Sequence, residues 1–173
     1  EICDLVNPDH AVITSIGPQH LETFKSIENV INTKYELVDS IIEGKIFLNF
    51  DNEYIKKRNS VNKYISYGIE NKSILNAKNI HIREDESSFN VEINGADYTV
   101  DIPVAGKHFI YNSLAAIAIG LENNIEMEKI IEGISNFSLT KRRMEIIKNS
   151  NNVTIINDCY NASYESVKAA LEY

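Results

Sequence analysis

Between Ala11 and Phe50 the chain spells out a strand, a break, a long amphipathic segment and a second strand, and no other stretch restricts the fold as much. Ala11 to Ser15 is a short apolar, β-branched run after Asn7-Pro8-Asp9-His10 and reads as a buried strand. Gly17-Pro18 ends it, which leaves His20 and Glu22 beyond its carboxyl end. Ser26 is placed to cap a helix running to about Ile42, and Gly44 to stop it. Lys45 to Phe50 reads as a second buried strand, and Asp51-Asn52 opens another helical turn. Two such strands joined through a helix make a β-α-β unit, the signature of a parallel sheet.

Along the helical segment Ile27, Val30, Ile31, Leu37, Val38, Ile41 and Ile42 recur at the three- and four-residue steps of one face, and Lys34 falls in the same stripe. An isolated ammonium is costly to desolvate. A lysine there either snorkels, with its stem on apolar surface and its head in water, or it finds anions, shifts its pKa or is chemically changed. Periodicity alone leaves both readings open.

Tyr64 to Gly68 predicts a third strand. From Asn79 the apolar period becomes two, with Phe89, Val91 and Ile93 in one run and Tyr98, Val100 and Ile102 in the next. Asn94-Gly95 between them is a strong hairpin signal. An antiparallel flap at about 75–104 therefore interrupts the α/β pattern, with no Gly/Ser-rich linker to set it apart. Gly106-Lys107-His108 opens a helix dense in small residues, Asn112 to Gly120, suited to close packing on the sheet. A shorter helix spans Met127 to Ser135, Met144 to Lys148 and Val153 to Asn157 read as strands, and Ser163 to Tyr173 as a helix. The expected fold is three-layer α/β, a mostly parallel sheet flanked by helices with an antiparallel β flap. Residues 1–157 form most of one domain and 158–173 its end or a link onward.

Composition narrows the partners. With 173 residues, 43% hydrophobic and 24% charged, the chain suits one well-packed domain. No apolar run approaches the roughly 20 residues that span a bilayer. Cys3 and Cys159 are too few for a disulfide framework, lack zinc-site spacing and fit a reducing, cytoplasmic setting. A net charge of −8 argues against binding a nucleic-acid backbone, which uses clustered cations. The opening on Glu1 without a signal-like run, and a last helix without a stop signal, suggest a fragment of a longer protein.

In open α/β sheets ligands gather beyond the carboxyl ends of the strands, where His20 and Asp158 are expected. Each also has a plain alternative: a loop histidine satisfied by backbone, and a helix cap. Asn112 is either a first-turn capping residue or a ligand contact. The run Lys141-Arg142-Arg143 is either a solvated face or a phosphate or ribose contact, and Asn157 to Asn161 could be only a polar turn. There is no loop of the form G-x-x-x-x-G-K-T, so an ATP-using enzyme would keep it outside this chain.

Five blocks occur in a characteristic order: Ile16-Gly17-Pro18-Gln19-His20-Leu21-Glu22, Thr33-Lys34-Tyr35-Glu36, Gly106-Lys107-His108 with Asn112, Arg143-Met144-Glu145, and Asp158-Cys159-Tyr160-Asn161-Ala162. Together they resemble the central ATP-binding domain of the Mur ligases, most of all the MurF type. The resemblance implies that His20 is a ligand of a catalytic magnesium. It implies that carbon dioxide carbamylates Lys34, giving an anion for a second magnesium. Asn112 would contact adenine, and Arg143 and Asp158 the phosphates or ribose of ATP. The implied activity is ATP-dependent amide ligation of D-alanyl-D-alanine to a UDP-N-acetylmuramoyl-tripeptide through an acyl phosphate, in peptidoglycan precursor synthesis.

The family's phosphate loop and a further metal-binding glutamate would lie upstream of Glu1, and another domain beyond Tyr173, so the fragment alone is expected to be inactive. Phe109 stands where many relatives have asparagine, and Ser163-Tyr164 where an Asn-Pro pair is common. MurE-type ligases and folylpolyglutamate or cyanophycin synthetases would share His20 and Lys34. Outside the enzymes, the rival reading is a noncatalytic nucleotide-binding domain.

Overall fold

A computed structural model describes residues 2–58, 64–140, 142–148, 153–161 and 164–171. A short exposed helix, α1 (Ile2–Val6), precedes β1 (Ala11–Ile13), the single turn α2 (Leu21–Phe24), the long α3 (Ile27–Asp39) and β2 (Ile46–Asn49). Then come α4 (Glu53–Arg58), β3 (Tyr64–Gly68) and β4 (Leu75–Asn76). The four strands pair side by side in the order β1-β2-β3-β4, all parallel.

β2 shows why the sheet needs cover on both faces, since all of its residues are buried. Ile46 and Leu48 face Ala11, Ile13, Val30 and Val38 on the α3 side. Phe47 points the other way, into the cluster built around Tyr67, Leu114 and Ile117.

The cap of α3 forms as the sequence predicts, the Ser26 hydroxyl oxygen accepting from Asn29 N at 3.2 Å. The helix ends earlier than predicted, at Asp39, and Ile42, at 80% exposure, is off the buried stripe. The chain turns here to bring Gly44 against Asp9, so close that a Cβ on residue 44 would lie 1.5 Å from the Asp9 carbonyl oxygen.

Three antiparallel strands follow: β5 (Lys78–Ile82), β6 (Ser87–Ile93) and β7 (Ala96–Ile102). Asn94 (φ 52) and Gly95 (φ 83) are both left-handed, as the tight hairpin turn requires. The predicted flap exists, and it is part of the core: Phe89, Val91, Val100 and Ile102 are buried in one cluster with α5 (Lys107–Glu122) and α6 (Met127–Ser135).

β8 (Glu145–Lys148) and β9 (Thr154–Asn157) form their own antiparallel pair. Asp158 therefore does not sit at the end of a strand in the parallel sheet that carries the exit toward His20. Only residues 149–153 separate these strands, a connection of hairpin length. The last helix is α7 (Tyr164–Leu171).

Candidate functional site

The β1–β2 ladder ends at the Ile13–Leu48 pair. Past that point side chains replace it on three consecutive carbonyls. Asn49 Nδ2 donates to Thr14 O at 3.1 Å, Lys34 Nζ to Ser15 O at 2.9 Å and Asn52 Nδ2 to Ile16 O at 2.8 Å. Thr14, Ser15, Thr33 and Lys34 line a cleft of about 810 Å³ that extends to Ile2 and Cys3 of α1.

The buried stripe of α3 is Val30, Ile31, Tyr35 and Val38. Lys34 lies at its margin, half-buried, and not inside it as the periodicity suggested. Its stem follows the helix while its head reaches the strand exit, so a snorkelling lysine and a lysine placed in a site describe the same geometry.

His20 is exposed and holds a left-handed backbone, φ 51 and ψ 38, which costs about 1 kcal/mol for a residue with a Cβ. Its carbonyl accepts from Thr23 N and Phe24 N at 2.9 and 3.0 Å, so it starts α2. α2 packs against α3, which places His20 at the head of an element lying on the helix that carries Lys34. Among the described residues no three His, Cys, Asp or Glu side chains converge in a metal-binding cluster.

Asn112 is exposed on α5 and lines a second cavity of about 450 Å³ between α5 and α6, with Ala116, Gly120, Ile130, Gly133 and Phe137 among its walls. Asp158 accepts from Met144 N at 3.2 Å. It also acts on His108: burial holds the imidazole below its ordinary value, and the charge of Asp158 pulls it back up. The Arg143 guanidinium stacks on the Tyr160 ring, 4.3 Å from its centroid. Asp158 thus lies near His108 at the start of α5. Lys141 of the basic run, Ala162 of the last motif and Ser163 after it lie outside the described residues.

The sequence assigns Asp51-Asn52 only the opening of a helical turn, and Asn49 no role beyond its strand. Asp51 Oδ2 accepts from Ile69 N (2.6 Å), Glu70 N (2.9 Å) and the Tyr111 hydroxyl (2.9 Å), and its Oδ1 from Asn71 N (2.7 Å). Burial raises its pKa, but these donors outweigh burial and hold it below the usual carboxylate value. The local signal was the Asn49–Asn52 cluster at a strand end; its partners are distant in sequence.

The geometry is that of an α/β domain with a cleft at the carboxyl end of a parallel sheet. Residues 1–120 match the model of the Mur ligase middle domain, and the chain belongs to the Mur ligase family. It is 33% identical over 168 residues to the UDP-N-acetylmuramoyl-tripeptide–D-alanyl-D-alanine ligase of Bacillus subtilis (strain 168), covering 97% of this chain and 36% of that protein. It is 35% identical over 170 residues to the UDP-N-acetylmuramate–L-alanine ligase of Clostridium acetobutylicum, covering 95% and 37%. Among solved structures it resembles MurF from Acinetobacter baumannii, with a TM-score of 0.88 at 25% identity over 97% of this chain and 37% of that one. The MurF ligase of Thermotoga maritima in complex with ADP shares the fold, with a TM-score of 0.85 at 22% identity over 99% and 40%. The chain therefore spans little more than a third of the length of the relatives it matches.

Proposed function

We propose that this chain is the greater part of the ATP-handling middle domain of a ligase that joins D-alanyl-D-alanine to a UDP-N-acetylmuramoyl-tripeptide in the cytoplasm. The γ-phosphoryl of ATP passes to the peptide carboxylate, releasing ADP. The dipeptide amine then attacks the acyl carbon, loses a proton and expels phosphate. Such chemistry depends on positioning and on neutralising crowded oxygens more than on a protein nucleophile.

The observation that carries the reading is Lys34 Nζ held 2.9 Å from Ser15 O in the cleft at the sheet's carboxyl end. An ammonium repels a divalent cation, so the residues here fit magnesium once Lys34 is carbamylated. Its neutral amine adds to carbon dioxide, one proton leaves, and the product is an N-carboxylate that keeps one N–H for Ser15 O. His20 and the Lys34 carboxylate would then hold magnesium, which would supply charge screening for the phosphates. Asn112 would meet adenine from the α5–α6 cavity, whose volume of about 450 Å³ is in the range of small-molecule pockets. Arg143 and Asp158 would hold the phosphates or ribose.

The Clostridium match favours a second reading, addition of L-alanine to UDP-N-acetylmuramate. Both are tested by assaying the full-length protein for phosphate release requiring ATP, magnesium and one acceptor pair. Release that needs the tripeptide nucleotide and D-alanyl-D-alanine is expected; release only with UDP-N-acetylmuramate and L-alanine would replace the first reading with the second. Lys34→Ala should abolish turnover, with partial rescue by a short carboxylic acid. Wild-type turnover in that variant would remove the carbamate from the mechanism.

A further inference from the structure

The carbonyls of Thr14, Ser15 and Ile16 leave the sheet together and are each taken by a side chain from a neighbouring element. Lys34 supplies one; the other two come from Asn49, the last residue of β2, and Asn52, just before α4. We propose that Asn49 and Asn52 are positioning residues, which continue the β1–β2 ladder with side chains and so fix the strand exit on which Lys34 docks and from which the chain runs to His20. The catalytic consequence rests on the function proposed above; the positioning itself does not.

Each of the two carboxamide bonds has a buried end. Ile16, whose carbonyl Asn52 serves, is 2% exposed and the Asn49 residue 7%, and a buried polar group left unpaired costs about 1–3 kcal/mol. Both side chains are used at both ends. Asn49 Oδ1 accepts from Asp51 N at 3.0 Å and Asn52 Oδ1 from Ile55 N at 3.2 Å, while each Nδ2 donates across to the β1 exit. A side chain that accepts from its own turn and donates to the neighbouring strand from a short stem is asparagine. Aspartate keeps the first function and loses the second. The pair therefore couples the turn after β2 to residues 14–16, and a shift of about 1 Å at such a point is worth up to about a hundredfold in rate.

The test uses the full-length protein carrying Asn52→Asp. Aspartate caps a helix as well as asparagine does, so the bond from Ile55 N survives while a carboxylate faces Ile16 O. Amide hydrogen exchange across residues 15–21 is expected to quicken about tenfold or more, with α5 unchanged. The kcat for ATP- and magnesium-dependent phosphate release is expected to fall about tenfold or more, with the KM for the peptide substrate unchanged. Asn52→Ser, which retains a cap without a charge, serves if the aspartate variant does not fold. Unchanged exchange over residues 15–21, or a loss of rate that only matches a loss of folded protein, overturns the proposal. If the wild-type protein releases no phosphate with either acceptor pair, the functional reading fails, and the exchange measurement alone decides for or against the positioning role.

Discussion

Asp51 shows how one carboxylate organises several elements. It collects backbone N–H groups from the turn after β3 and the hydroxyl of Tyr111 on α5, while Lys107 of α5 reaches Glu70 of the same turn at 2.7 Å. The Lys107 pair is exposed and contributes little; the Asp51 contacts are partly buried and use charge-assisted bonds. Because the folded pKa of Asp51 lies below its unfolded value of about 3.9, its stabilisation is complete above that value and lost as pH falls through the folded one. Asp51→Asn should therefore flatten the acid limb: urea midpoints from about pH 7 down to about pH 3 will fall less steeply than in the wild type. An unaltered slope would show that other carboxylates govern acid unfolding.

At the level of elements, α5 and α6 pack closely because Gly120 leaves room for Ile130. A Cβ at residue 120 would meet Ile130 Cδ1 at 2.6 Å, whereas one at Gly133 meets nothing within 4 Å. The helix propensity of alanine over glycine, about 0.5–1 kcal/mol, is opposed at Gly120 by overpacking of about 1–3 kcal/mol. Gly133→Ala should therefore raise stability and Gly120→Ala lower it, each by roughly 1 kcal/mol, as read from denaturant midpoints. The flap gives a larger signal. Phe89 is buried among core side chains from the sheet and helices, so Phe89→Ala should cost about 3–5 kcal/mol. A cost near zero would return the flap to the status of an appendage.

For the molecule as a whole, the β8–β9 hairpin is the unusual part. Ile146, Ile147, Ile155 and Ile156 remain 39% to 47% exposed, on a two-stranded sheet of a kind marginally stable alone. Exposed apolar strands invite association, so the 173-residue chain should self-associate as its concentration rises, and Ile155→Lys should reduce this in sedimentation velocity. A wild-type chain that stays monomeric at every concentration would contradict the expectation. In the parallel sheet and the three-stranded flap the local code was readable. Period-two alternation and Asn94-Gly95 placed the flap, and the strand-helix-strand order placed the parallel unit. The amphipathic stripe located α3 but not its end, where the chain turns to pass Gly44 over Asp9, nor the place of Lys34 at the margin of the buried stripe.

What the sequence determined by itself was most of the elements, though not α1, α2 or β4, many of their bounds, and a family resemblance spread over ordered motifs, because these depend on near neighbours in the chain and on residue chemistry. Only the tertiary structure decided that β8 and β9 pair apart from the main sheet, that Asp158 faces His108, and that Asn49, Lys34 and Asn52 share out the carbonyls at the β1 exit. The last two outcomes join residues distant in sequence, and they are settled by which polar groups must find partners once the strands are packed.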